Sequence, residues 1–267
     1  SRTGRKMAQG NRERARMTEL VSTYFKSFDG VELQVHQMGA GRPVVLLHGL
    51  FSNAETNWIK FGHAQRLVDA GFEVIMPDLR AHGDSATPHN RAAYPDDVLV
   101  KDITALVERL GLTDYDLAGF SLGARISVQC VISGLAPRRL VLAGMGLEGL
   151  CDWASRREFF IDAIERFDEI KQGEPAFFAV QFMKTMNTDR AAAWMLLESV
   201  GDIDRADLAA IAMPTLVVCG DLDRDNGSPE ALADALPDAE FRSIPGTHMG
   251  SVTGPDLGEA IAAFLSD

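Results

Sequence analysis

The sequence predicts an α/β fold: a mostly parallel, twisted sheet opened by an antiparallel hairpin, with helices on both faces and a small helical insertion late in the sheet. Three observations predict it. Short apolar runs recur along the chain, and most are flanked by turn residues. Segments with apolar residues at helical spacing separate them. One long stretch, residues 146–207, holds no good strand and is rich in Phe, Met, Trp and charge. Strands that alternate with helices imply parallel pairing, because a parallel crossover needs a covering helix.

Ser22–Asp29 and Val31–Met38 flank Asp29-Gly30, a hairpin signal. Pro43–Leu47 is then a continuous apolar run, as expected of a strand buried on both faces. Glu73–Met76, Tyr115–Gly119, Arg139–Ala143, Thr215–Gly220 and Glu240–Ile244 have the same character. Ile103, Leu106, Val107 and Leu110 mark one helical face. Ser228-Pro229 supplies an N-cap and first-turn proline for a helix through Leu232, Ala235 and Leu236. Leu257, Ile261, Phe264 and Leu265 mark a last helix. Helical patterns around Phe159–Phe167, Phe177–Met186 and Ala191–Val200 fill the insertion, expected as a cap over the mouth of the sheet. The organisation is thus a basic arm (1–16), a core (17–145 and 208–267) and a cap (146–207).

Charge bounds the partners. The net charge is −12, and Arg2, Arg5, Lys6, Arg12, Arg14 and Arg16 against Glu13 give the arm +5, which leaves −17 on the remainder. So acidic a body argues against nucleic acid, since phosphate binding needs a basic face. The arm is expected to be flexible or not native. It lacks the apolar stretch of a signal peptide, and no run of about 18 apolar residues suggests a membrane span. Cys130, Cys151 and Cys219 are odd in number and widely spaced, so neither a disulfide framework nor a zinc site is indicated. Reduced thiols in a cytoplasm are expected.

The chemistry concentrates in four places. Gly119-Phe-Ser-Leu-Gly123 follows an apolar strand and precedes a helix through Ile126, Val128 and Val131, the setting of a nucleophile elbow with Ser121 at its tip. The turn is too sharp for side chains two positions either side of the serine, hence the glycines. Serine needs a base, and His248, in a loop between the last strand and the last helix, is placed to be one. An acid to orient it should follow Thr215–Cys219, where Asp221, Asp223 and Asp225 are available. Three neighbouring acids could also hold a cation, but the stretch lacks a calcium-loop pattern, so no metal is expected. His48-Gly49-Leu50-Phe51 follows a buried strand, and the backbone N–H groups of Leu50 and Leu122 are the natural pair to hold an oxyanion. His48 is expected to brace this loop. Arg125 is expected at a solvated helix position.

From about Tyr24 to Leu265 the chain resembles the α/β-hydrolase superfamily, near its small esterases and haloperoxidase-like members. The matching segments are the elbow, L-L-H-G-L-F-S, Pro77–Ser85 (P-D-L-R-A-H-G-D-S), C-G-D-L-D-R and I-P-G-T-H. Three features of the resemblance bear on the site. The acid follows the glycine of the G-x-x-D turn by three, so Gly220 points to Asp223. Arg80, His82, Gly83 and Ser85 match a structural segment, with Ala81 replacing its first glycine. Gly123-Ala124 stands where the family usually has two glycines. A serine elbow sets the chain apart from relatives that use aspartate on halides and epoxides, and Gly-Phe-Ser-Leu-Gly differs from the proline-peptidase pattern. The resemblance implies hydrolysis of small carboxylic esters through an acyl-enzyme on Ser121, without a cofactor. It leaves open acyl transfer to another acceptor such as peroxide, carbon–carbon bond cleavage, and slow-turnover ligand reception. Phe51, Trp58, Met145, Leu147, Met183 and Met186 are candidates to line an apolar acyl pocket.

Overall fold

The computed structural model describes residues 19–267, with Gln9 alone ahead of them. The predicted basic arm otherwise lies outside the described residues. An eight-stranded sheet forms in the order β1-β2-β4-β3-β5-β6-β7-β8. β1 (Val21–Lys26) and β2 (Glu32–Gly39) make the antiparallel hairpin around Asp29-Gly30, and Gly30 takes φ 85° there. β2 is antiparallel to β4 as well, and every later pairing is parallel.

After β3 (Arg42–Leu47) come a wide helical turn, Glu55–Ile59, and α1 (His63–Asp69), which leads into β4 (Phe72–Pro77). α2 (Val98–Arg109) precedes β5 (Asp116–Phe120), α3 (Leu122–Ile132) and β6 (Leu140–Ala143). Four helices then intervene: α4 (Leu147–Cys151), α5 (Trp153–Glu165), α6 (Phe177–Thr185) and α7 (Arg190–Ser199). The sheet resumes with β7 (Thr215–Gly220), α8 (Pro229–Ala235) and β8 (Ala239–Ile244), and the chain closes with α9 (Gly250–Thr253) and α10 (Asp256–Leu265). Among the described residues no helix is long and apolar enough to cross a membrane.

The continuous apolar runs follow from burial on two faces. Val45, Leu47, Ile75 and Leu117 join one core with residues of α2, α3 and α8. Their neighbours Val44, Leu46, Val74 and Ala118 point the other way, into a core shared with α1 and α10. Each fully buried Val or Leu contributes roughly 1.5–3 kcal/mol. A third cluster belongs to the insert itself: Trp153, Ala163, Ile164, Val180, Met183, Ala193 and Leu197 pack together, with Phe51 of the sheet side among them.

Candidate active site

β5 ends at Phe120, and Ser121 occupies the turn before α3 at φ 55°, ψ −115°, a conformation that side-chain-bearing residues rarely adopt. The surroundings hold it there. Ser121 N–H donates to Ala143 O at 2.8 Å, and Ser121 O accepts from the N–H groups of Ala124 and Arg125. The flanking glycines are a steric requirement. A Cβ on Gly119 would sit 2.1 Å from Gly123 O, and one on Gly123 would sit 2.0 Å from Leu47 O.

The loop after β8 brings His248 to the serine. Its Nε2 accepts from Ser121 Oγ at 3.1 Å, and its Nδ1–H donates to Asp223 Oδ2 at 2.8 Å. The imidazole lies over the Phe120 ring, with centroids 4.8 Å apart. Asp223 stands just beyond β7 and is 1% exposed. It accepts further from Asp225 N–H and from Cys219 Sγ. Burial pushes the Asp223 carboxyl up, but the bond to His248 and the smaller contacts outweigh it and leave the group below the usual carboxylate range. The two neighbouring acids differ. Asp221 Oδ1 accepts from Gly246 N–H at 2.8 Å and so ties the acid loop to the histidine loop. Asp225 is exposed, and its carboxylate lies within 4.8 Å of the Asp223 carboxylate and of a His248 ring nitrogen, so that Asp223, Asp225 and His248 form a trio. Both ring nitrogens of His248 are already engaged, so a cation held by this trio would have to break the hydrogen-bonded chain.

A second loop faces the serine. Gly49 N–H donates to Asn57 Oδ1, Phe51 N–H to His82 Nε2, and Ser52 N–H to Gly49 O. Among the described residues Leu50 N–H has no acceptor, and neither has Leu122 N–H, the first amide of α3. His48 and His82 brace the loop from below. His48 Nε2 accepts from Leu79 N–H while its Nδ1–H donates to Gly49 O, and His82 Nδ1–H donates to Arg80 O. Both rings are therefore neutral. Burial depresses both, and the neighbouring His48 helps take His82 down to about 3.

A cavity of about 430 Å³ opens between these loops and the insert. Leu50, Phe51, Ser121 and His248 line it from below, and Arg156, Phe159, Phe160, Phe178 and Phe182 line it from above. Of the residues predicted to form an acyl pocket, only Phe51 does so here. Trp58 is fully buried in the core under α1, and Met145 and Leu147 pack in the core on the opposite face of the sheet. Met183 turns into the insert's own core. Met186 borders a separate, polar cavity of about 250 Å³ behind Phe51 and Ser52. The aromatic wall of α5 and α6, together with Arg156, was missed. Its signal is the clustering of Phe in the insertion, but helical spacing does not say which face meets a cavity.

The sequence profile described as "alpha/beta hydrolase fold" matches residues 42–140, the segment from β3 to the start of β6 that carries the oxyanion-side loop and the elbow. Beyond that segment, the described chain as a whole has the α/β-hydrolase fold. The AB hydrolase superfamily protein YisY of Bacillus subtilis is 28% identical over 223 residues, which span 75% of this chain and 81% of that one. The non-heme chloroperoxidase CPO-A1 of Kitasatospora aureofaciens is 26% identical over 262 residues, 85% and 92% of the two chains. A thermophilic esterase from Thermogutta terrifontis shares the fold, with a TM-score of 0.72 at 24% identity over 92% of this chain and 98% of that one.

In this fold the insert is anchored to the elbow helix by a residue expected from the sequence to lie in solvent. Arg125 is fully buried in α3. Its guanidinium donates to Gly149 O, Leu150 O and Gly201 O and stacks on Trp153 at 4.6 Å. Burial lowers its pKa to about 10, which still leaves it charged at neutral pH. The expectation of a solvated position fails because a long helix residue one turn after Ser121 points under the insert, where backbone carbonyls of α4 and of the loop after α7 need donors.

Proposed function

We propose that this α/β hydrolase cleaves small carboxylic esters through an acyl-enzyme on Ser121. The observation that carries the reading is the hydrogen-bonded chain Ser121–His248–Asp223, opening on an apolar cavity beside two unpaired backbone N–H groups. Ser121 Oγ attacks the ester carbonyl as His248 Nε2 takes its proton. Asp223 fixes the tautomer that leaves Nε2 free and stabilises the imidazolium. Leu50 and Leu122 N–H hold the oxygen as it gains charge; one such donor is worth about 3 kcal/mol of barrier. The imidazolium then protonates the departing alcohol, and water repeats the cycle on the acyl-enzyme. Residues 146–207 serve as a cap that supplies the aromatic wall. The substrate is a small molecule, and no cofactor enters the cycle.

The test is hydrolysis of p-nitrophenyl esters from acetate to octanoate by the wild type and by Ser121→Ala. Steady turnover that vanishes in the variant supports the reading, and the chain-length profile reports the depth of the cavity. One equivalent of p-nitrophenol without turnover would move the proposal to acyl transfer with another acceptor. Turnover that survives in Ser121→Ala would overturn it.

A further inference from the structure

The cavity holds a cation that the protein does not neutralise by contact. Arg156 of α5 lines it together with Ser121 and His248. Among the described residues it makes no hydrogen bond and no ion pair, and its Nε is buried with no acceptor. Other arginines have partners. Arg80 is held by Asp29 and Asp102, the half-buried Arg138 by Asp116, and Arg125 by three carbonyls, although its Nε, like that of Arg156, is buried without an acceptor. Arg156 has instead the rings of Phe160 and Phe159, at 4.9 and 5.3 Å from its guanidinium carbon. Such cation–π contact draws on the charge while leaving the hydrogen-bond donors of the fork unspent. Burial lowers the group from the usual arginine range, partly offset by attraction to Asp225 and Asp223. Neither carboxylate satisfies it: Asp223 is committed to His248, and Asp225 is exposed, where water and salt screen it. A guanidinium held partly out of water with open donors is costly unless an anion meets it.

We propose that Arg156 determines substrate choice by binding a free carboxylate at the far end of the acyl group, so that the preferred substrates are half-esters of dicarboxylic acids. This rests on the ester-hydrolase reading of the same cavity. The carboxylate takes the fork in two parallel N–H···O bonds. The acyl methylenes lie along Phe159, Phe160 and Phe182, and the ester end reaches Ser121.

The experiment compares monoethyl succinate, glutarate and adipate with the neutral ethyl esters of equal carbon number, for the wild type, Arg156→Met and Asp225→Asn. The wild type is expected to favour at least one half-ester by roughly 10- to 100-fold in kcat/KM, the worth of one charge-assisted pair. In Arg156→Met the ratio of half-ester to neutral-ester kcat/KM falls to about one, and the loss on the half-ester appears in KM. Asp225→Asn keeps or raises the preference. Equal losses on both ester types, or equal losses from both substitutions, would mean that Arg156 braces the insert against Asp225, and the proposal fails. Calorimetric titration of glutarate and adipate into Ser121→Ala, with and without Arg156→Met, separates this proposal from the one it rests on. Binding that needs Arg156 without turnover of any ester sinks the hydrolase reading and keeps the anion site. Turnover of neutral esters with no diacid binding and no half-ester preference does the reverse.

Discussion

Asp223 and Asp221 are two residues apart and do different work. Asp223 bonds the histidine, whereas Asp221 bonds a backbone amide that Asn would bond equally well. Asp223→Asn is therefore expected to cut kcat on a p-nitrophenyl ester by about 10²–10⁴-fold, with Asp221→Asn within about threefold. Equal losses would sink the assignment. At Gly123 the outcome is structural. The added methyl of Gly123→Ala meets Leu47 O at 2.0 Å, and a backbone carbonyl yields less easily than a side chain. The variant should lose about 3 kcal/mol in urea unfolding; a loss under about 1 kcal/mol would show the elbow to be looser than drawn. Legibility at this scale tracks how narrowly chemistry limits the choice of residue. The glycines, Ser121 and His248 were readable because few residue types can take those places. The acid needed the family match, since three candidates stood in one loop. Trp58, Met145, Leu147 and Met183 were misjudged because an apolar side chain suits a core and a cavity alike, and only the packing decides.

The strands were legible as elements because burial on both faces leaves continuous apolar runs. α1 was not, since its seven residues, His63–Asp69, give too short a pattern to register. The helices of the insert were readable in number, apart from the five-residue α4, but not in orientation. That orientation depends on Arg125, whose burial no periodicity reveals. α4 and the end of α7 are secured to α3 by its three hydrogen bonds. Arg125→Met would leave those carbonyls short of donors and is expected to cost about 3 kcal/mol. Hydrogen exchange should rise first across residues 146–207, while the sheet stays protected. Uniform exchange across the chain would show that insert and sheet open as one unit.

For the molecule as a whole, buried neutral imidazoles add to the loss of stability in acid. His48, His63 and His82 are all depressed, chiefly by burial, and His82 is brought down to about 3. The unfolded chain takes up their protons below pH 6.5 while the folded one resists. Their contribution is thus complete above pH 6.5 and declines as pH falls toward 3. Urea midpoints should fall along that range, with a shallower slope in His82→Gln; an unchanged slope would remove His82 from the account. The sheet order also disperses the chemistry along the chain. β3, β5, β7 and β8 each end in one contribution, and the serine and its base stand 127 residues apart. On a ribosome that interval lasts roughly 6–25 s. During it the elbow can form, but its hydroxyl has no base, and β8 must still dock at the sheet edge. Under the proposed mechanism the nascent chain is therefore silent, kept from premature acylation by the order in which its parts are made.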